Sequence, residues 1–256
     1  VGWNCLYRYM SLLLSVVGTL GFIMLHSKSL LNQSLPSDKS SKDFFKTVYL
    51  WLKAEAKSVC KALLFIFVYK FHGSFLASLL QVFLINNAHM SLSFIGYTYK
   101  TGGMLATFLG GLLAGTLSRY ATVQRGVQLT VLLQLIATTT FLYLNALGHL
   151  EKYHLLITFA MYMESLCLGT STTLITIIIT QHCRKDLAAT QYAFFTAVIA
   201  WQRSLITPFA GWVQTAFGWQ GYFSVSLLFL PLLFLCVGKN FSFLPRTGTR
   251  LAHEYT

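Results

Sequence analysis

Two apolar stretches decide the fold of this chain: residues 154–180, HLLITFAMYMESLCLGTSTTLITIIIT, and residues 187–217, LAATQYAFFTAVIAWQRSLITPFAGWVQTAF. At a rise of about 1.5 Å per residue, each is long enough to cross a hydrocarbon layer of about 30 Å as a helix. Each carries one charge well inside, Glu164 in the first and Arg203 in the second. Because an unpaired charge in lipid is costly, the pattern predicts that these two side chains face each other across adjacent helices.

The composition extends this prediction to the whole chain. Of its 256 residues, 55% are hydrophobic and 10% are charged, whereas soluble domains carry about 25% charged residues. Seven segments have membrane-spanning length: 5–25, 63–85, 93–117, 127–147, 154–180, 187–217 and 222–237. The sequence therefore predicts an all-α integral membrane protein with about seven transmembrane helices.

The formal charge of +12 does not indicate nucleic acid as a partner, because the basic residues lie in short loops between apolar segments. Of the 19 Lys and Arg residues, fourteen fall on one predicted side of the membrane and three on the other. Cytoplasmic loops carry the excess of basic residues. We therefore expect the N-terminus outside and the C-terminus in the cytoplasm.

The sequence contains no recognisable motif for a metal site, a cofactor site or a catalytic site. The five cysteines form no CxxC pair, and the seven histidines form no HExxH motif. No serine–histidine or paired-aspartate arrangement is placed on facing helices. We expect no metal site, no cofactor and no enzymatic activity.

Residues 27–61 form a long polar stretch, and its second part alternates aromatic and aliphatic residues with lysines at helical spacing. This is typical of an amphipathic helix on an anionic membrane surface; a solvated linker helix is the alternative. The chain begins with Val1, and no secretory signal precedes the first segment. We expect it to be a piece of a larger protein.

Two helical stripes carry the polar residues of the membrane segments. Lys70, Ser74, Ser78 and Gln81 share one stripe, and Tyr192, Thr196, Arg203 and Thr207 share another. Lys70 is deep for simple snorkelling to the interface; it is either a cavity-facing anion site or a snorkelled or structurally paired lysine. His72 points away from its stripe, which favours a packing role.

Small residues mark a helix-packing face in the third segment. Gly102, Ala106, Gly110 and Ala114 recur every four residues, beside a second stripe of Gly103, Thr107, Gly111 and Gly115. Such stripes let another helix approach backbone to backbone.

Glu164 admits two interpretations. It is either a permanent structural partner of Arg203, or a group that takes up a proton when the arginine is drawn toward an anionic substrate. The second would couple transport to a proton gradient.

The order of several short motifs resembles the C-terminal half of a major facilitator transporter, most closely the AmpG-type muropeptide permeases. The motifs are Tyr69-Lys70, the small-rich stretch 102–115, Glu164-Ser165, Leu168-Gly169-Thr170, Thr190-Gln191-Tyr192-Ala193, Gln202-Arg203, Pro208-Phe209-Ala210-Gly211-Trp212 and Phe217-Gly218-Trp219. The similarity covers residues 62–237. The chain departs from the family in having His72-Gly73 where Gly-Asp is common and Ser165 where Asn is usual.

The resemblance implies an architecture. Residues 1–26 would be the sixth helix of the family fold, 27–61 the central cytoplasmic loop with its amphipathic helix, 62–238 the C-terminal six-helix bundle and 239–256 a cytoplasmic tail. A second six-helix half, in the same chain or in a separate subunit, would complete the cavity. The expected location is the inner membrane of a bacterium.

It also implies a function: proton-coupled uptake of anionic sugar–peptides such as anhydro-muropeptides from cell-wall recycling. Lys70 and Arg203 would attract substrate carboxylates; Gln81, Gln191 and Tyr192 would hydrogen-bond amides and hydroxyls; Glu164 would carry the proton. An acetyl-CoA-like anion is an alternative substrate. The alternative function is a decayed or split half that does not transport and serves as a membrane interaction subunit.

Overall fold

The computed structural model describes residues 11–12, 15–16, 19, 51, 53–148, 150–183 and 187–239. The chain divides into two compact units, Val1–Lys57 and Ser58–Thr256. In the first unit, residues 11–12, 15–16 and 19 are helical, and the indole N–H of Trp51 donates to the Glu55 carboxylate at 3.0 Å. Most of the predicted first transmembrane segment, much of the polar stretch and nearly all of the predicted tail lie outside the described residues.

The remaining elements are helical and follow one another with short connections. They are α1 (Ala56–Asn86), α2 (Leu92–Ile95), a π-helical segment (Gly96–Gly102), α3 (Gly103–Tyr120), α4 (Val123–Leu147), a 3₁₀ turn (Leu150–Lys152), α5 (His154–His182) and α6 (Ala188–Lys239). The described residues contain no strand. The prediction of an all-α fold is therefore confirmed.

Four stretches of this structure are long and apolar enough to cross a membrane: Val59–Asn86, Leu92–Tyr120, Val123–Leu147 and His154–His182. Large apolar side chains such as Leu105, Phe108 and Trp212 are more than half exposed. Contiguous exposed apolar surface is unusual on a soluble monomer, whereas a lipid-facing helix presents it by default. These features confirm the prediction of a membrane protein.

The last described helix, α6, contains a break at Gly218. Gly218 has a φ of 65°. Pro208 lies in the helical part of α6 before this break, and Pro231 lies in the helical part after it. Glycine adopts positive φ without the steric cost that a Cβ brings. The predicted segments 187–217 and 222–237 fall on either side of this break.

An aromatic core joins α1, α4 and the part of α6 beyond Gly218. The rings of Phe75 and Tyr222 stack with centroids 4.7 Å apart, and Phe83 meets Phe223 edge-on at 5.0 Å. Phe141 of α4 stacks on Phe223 at 5.9 Å. Aromatic pairs in these arrangements stabilise beyond the area that they bury. The Tyr222 hydroxyl also donates to the backbone carbonyl of Phe75, which fixes α6 against α1.

Small residues bring α3 and α5 into backbone contact. A Cβ added to Gly169 of α5 would collide with the Thr107 carbonyl of α3, and one added to Gly110 would collide with the Leu166 carbonyl. The Thr107 hydroxyl donates to the Ser165 carbonyl at 3.1 Å, so the close approach is hydrogen bonded as well as packed. The packing face predicted from the glycine and alanine stripe of α3 is confirmed.

Candidate functional site

A cavity of about 750 Å³ opens among α1, the π-helical segment, α4, α5 and the first part of α6. Its size falls within the range of small-molecule sites, about 300–1,000 Å³. Its polar wall is made by Lys70, Ser74, Ser78, Gln81, Tyr99, Lys100, Gln134, Glu164, Ser171, Thr172, Thr196, Arg203 and Thr207. Every predicted member of the α1 stripe lies on this wall.

Lys70 reaches across the cavity from α1 to α5. Its Nζ donates to the hydroxyls of Ser171 at 3.2 Å and Thr172 at 2.9 Å. The residues described by the structure place no carboxylate within ion-pair distance of this ammonium group. Lys70 therefore lies on the cavity wall with neutral hydrogen-bond partners, and no carboxylate among the described residues neutralises its charge.

Glu164 is buried, with 5% of its surface exposed, and lies on the same wall. The Tyr99 hydroxyl donates to its carboxylate at 3.3 Å. Arg203 lines the cavity too, but in the described part of the chain no ion pair joins it to Glu164. The structure thus places Glu164 and Arg203 on the wall of the same cavity, but the hydrogen-bond partner of Glu164 is Tyr99 rather than Arg203.

The charges on the cavity wall are unbalanced. Lys70, Lys100 and Arg203 contribute three positive charges, and Glu164 contributes one carboxylate. Lys70 and Arg203 are close enough for their charges to repel each other. Lys100 also lies over the ring of Tyr99, with Nζ 5.8 Å from the centroid. A cavity with this lining is suited to an anion.

Two predicted binding residues do not reach the wall. Gln191 is buried elsewhere, with 1% of its surface exposed, and Tyr192 is also absent from the cavity lining. The geometry of the helix explains both. At 100° per residue, Gln191 is rotated about 120° from Arg203, while Tyr192 shares the face of Arg203 but lies about 16 Å away along the axis.

Sequence reasoning missed Tyr99 and assigned His72 to packing alone. Tyr99 lies in the π-helical segment, four residues before Gly103, and so continues the small-residue stripe that faces α5. This four-residue spacing is the sequence signal that could have identified Tyr99 as a site residue. His72 is buried and contacts Thr138 of α4, and it is also one of the residues that line the cavity.

The described residues contain no group of three or more His, Cys, Asp or Glu placed to hold a metal ion. The side chains on the cavity wall offer ion pairing and hydrogen bonding. These are the means by which a membrane protein binds and releases a charged solute.

No family model matches the chain. It is 30% identical over 201 residues to the anhydromuropeptide permease of Escherichia coli K12, a match that covers 78% of this chain and 38% of that protein. The chain is related to the AmpG-type permeases. It is also 25% identical over 258 residues to the putative transporter AmpG 3 of Rickettsia prowazekii, covering 95% of this chain and 59% of that protein.

The resemblance to AmpG-type permeases predicted from the motifs is therefore confirmed. Together with the four apolar helices, the homology establishes a multi-pass membrane protein. The chain spans less than two thirds of the length of these relatives. Both relatives are named as a permease or a transporter.

Proposed function

We propose that this chain takes part in proton-coupled transport of an anionic sugar–peptide of the anhydro-muropeptide class. The observation that carries the proposal is the cavity itself, with three cationic side chains and one buried carboxylate on its wall. The name of the E. coli relative supplies the substrate class, and the charge on the wall supports an anionic member of it.

Substrate capture is assigned to Arg203 and Lys70. Arg203 is exposed to the cavity, and its planar guanidinium suits bidentate binding of a carboxylate. Lys70 is held in place by two hydroxyls and keeps its charge available. Gln81, which lines the same wall, would hydrogen-bond the amide or hydroxyl groups of the substrate.

Proton coupling is assigned to Glu164. The Tyr99 hydroxyl can donate to the ionised carboxylate and can accept from the protonated acid, so both states have a hydrogen-bond partner. An ionised Glu164 would repel the substrate carboxylates, because it lines the cavity that would bind them. Protonation would remove this repulsion, which links proton binding to substrate binding.

We further propose the setting of this activity. The distribution of Lys and Arg supports a bacterial inner membrane orientation with the N-terminus outside and the C-terminus in the cytoplasm. The greater length of the relatives supports a working unit in which a second set of six helices closes the cavity, in the same chain or in a separate subunit.

The test is accumulation of radiolabelled anhydro-muropeptide in right-side-out membrane vesicles that contain the protein. A pH gradient, acid outside, should drive accumulation. Arg203→Ala and Glu164→Gln should each reduce it at least about tenfold, the effect expected when a charged hydrogen-bonding group is lost. Arg119→Ala is the matched control, because Arg119 lies in the last turn of α3 and does not line the cavity.

Normal accumulation by either variant, at wild-type surface expression, would remove that residue from the mechanism. Failure of the wild-type vesicles to accumulate the probe would favour the alternative function, a membrane interaction subunit without transport. Competition by acetyl-CoA but not by unlabelled muropeptide would change the substrate class while keeping the anion site.

A further inference from the structure

Lys100 is a charged residue of the cavity wall to which the proposed function gives no role. It lies in the π-helical segment, and its side chain is exposed. Its Nζ lies 5.8 Å from the centroid of the Tyr99 ring, and no carboxylate pairs with it in the part of the chain that the structure describes. A cation that rests on an aromatic face keeps its N–H donors for a ligand.

Helix α5 separates the position of Lys100 from that of Lys70. Tyr99, on whose ring Lys100 lies, donates to Glu164 of α5. Lys70 donates to Ser171, seven residues further along the same helix. Seven residues make two turns, so Glu164 and Ser171 share one face of α5 and lie about 10 Å apart along its axis. The cavity therefore has two cationic levels, the Glu164 level and the Ser171 level.

The wall that α5 presents between these two levels is apolar. Cys167 and Leu168 line the cavity there, and 42% of the Leu168 side chain is exposed. The third cation, Arg203 of α6, is close enough to both Lys70 and Tyr99 for its charge to act on both. Arg203 can therefore assist at either level. The wall offers two anion positions with an apolar surface between them.

The charge of a ligand decides how many of these positions it fills. A ligand with one carboxylate would pair with the cation of one level and leave the other cation without a counter-charge. A ligand with two carboxylates at the right separation would pair with both. Because charged groups in a cavity bind best when each has a partner, the second ligand is favoured.

We propose that the cavity selects ligands with two anionic groups about 10 Å apart, one bound by Lys70 and the other by Lys100, with Arg203 assisting. This inference rests on the proposed function and narrows its substrate class to sugar–peptides that carry at least two carboxylates. The Glu164 level is open to an anion when Glu164 carries its proton, which is the state that the proposed function assigns to substrate binding.

The experiment is isothermal titration of the detergent-solubilised full chain at mildly acidic pH, where peptide carboxylates stay ionised. The probe is an anhydro-muropeptide whose peptide has two free carboxylates, and it is compared with its two monoamides, in each of which one carboxylate is replaced by an amide. We expect each monoamide to bind the wild-type chain at least about tenfold more weakly than the dicarboxylate, because a charge-assisted contact is lost. This comparison does not depend on the folding of any variant.

Substitution of each lysine identifies the carboxylate that it binds. Lys100→Met should weaken binding of the dicarboxylate at least about tenfold and should have little effect on one of the two monoamides. Lys70→Met should spare the other monoamide. Lys100→Arg keeps the charge and should bind nearly as well as wild type. Lys152→Met is the matched control, because Lys152 is an exposed lysine that does not line the cavity. Thermal melting checks that each variant is folded.

The outcomes separate this inference from the function on which it rests. Equal binding of the dicarboxylate and both monoamides by the wild-type chain would overturn the second anion position and leave the proposed function standing. Unchanged binding by Lys100→Met, an equal loss for all three ligands, or an equal loss in Lys152→Met would do the same. Failure of the wild-type chain to bind the dicarboxylate would overturn both.

Discussion

In the part of the chain that the structure describes, the Lys70 ammonium lies inside a membrane helix and has no ion-pair partner. Its two acceptors on α5 are hydroxyl groups, and one of them, Ser171, also donates to the carbonyl of Leu168 at 3.1 Å. Losing the lysine would therefore leave few buried groups unsatisfied. The expected cost of removing a buried charge pair, several kcal/mol, does not apply here.

We predict that Lys70→Met keeps the thermal stability of the chain within about 1 kcal/mol, because no buried charge is orphaned. The same substitution should weaken binding of the anionic probe about tenfold or more, because a charge-assisted contact is lost. Lys70→Arg is the control that retains the positive charge and should bind nearly as well as wild type. Titration and thermal melting on the same samples measure both effects. A large loss of stability with unchanged binding would make Lys70 a structural residue.

Single residues were predictable from the sequence where charge and helical phase were enough. Lys70 and Gln81 share a stripe, and the structure places both on the cavity wall. Glu164 and Arg203 each lie well inside an apolar segment, and both reach the same cavity. Their hydrogen-bond partners could not be predicted from the sequence, because the contact between Tyr99 and Glu164 depends on how α3 and α5 pack.

At the scale of elements, the contact between α3 and α5 depends on the absence of side chains. Gly110 faces the backbone of α5, whereas Gly115, on the same helix, has no heavy atom within 4 Å of the position that a Cβ would occupy. The two glycines therefore have different roles in α3. Gly110 permits the close approach of α5, whereas Gly115 only lowers the helix propensity of α3.

We predict opposite effects of the same substitution at these two sites. Gly115→Ala should leave stability unchanged or raise it by up to about 1 kcal/mol, because alanine favours the helix. Gly110→Ala should destabilise by about 1–3 kcal/mol, because the Leu166 carbonyl must move away and the packed helices with it. Thermal melting in detergent measures both. Equal melting temperatures for the two variants would contradict the close approach of α3 and α5.

The elements themselves were mostly predictable, and the exceptions have physical causes. The segment predicted at 154–180 is α5, His154–His182, because its apolar length determines its span. The π-helical turns at Gly96–Gly102 were not predicted, since a shift from i+4 to i+5 hydrogen bonds leaves no pattern in a seven-residue stretch. The predicted loop between 217 and 222 is, in the structure, a break at one residue, Gly218.

At the scale of the whole molecule, the proposed uptake requires a definite orientation. The proposed orientation places the basic loops on the cytoplasmic side. The excess of fourteen basic residues over three is the signal that sets orientation during insertion. Exposed residues at the two ends of the helices make this orientation measurable.

We predict that Cys60, exposed near the start of α1, faces the cytoplasm, and that Lys152, exposed in the 3₁₀ turn before α5, faces outward. In intact cells, a membrane-impermeant maleimide should label a Lys152→Cys variant that lacks the native cysteines. A variant retaining Cys60 alone should react only after the membrane is permeabilised. Labelling of both variants after permeabilisation controls for a difference in expression between them. Labelling of Cys60 in intact cells would contradict the proposed orientation.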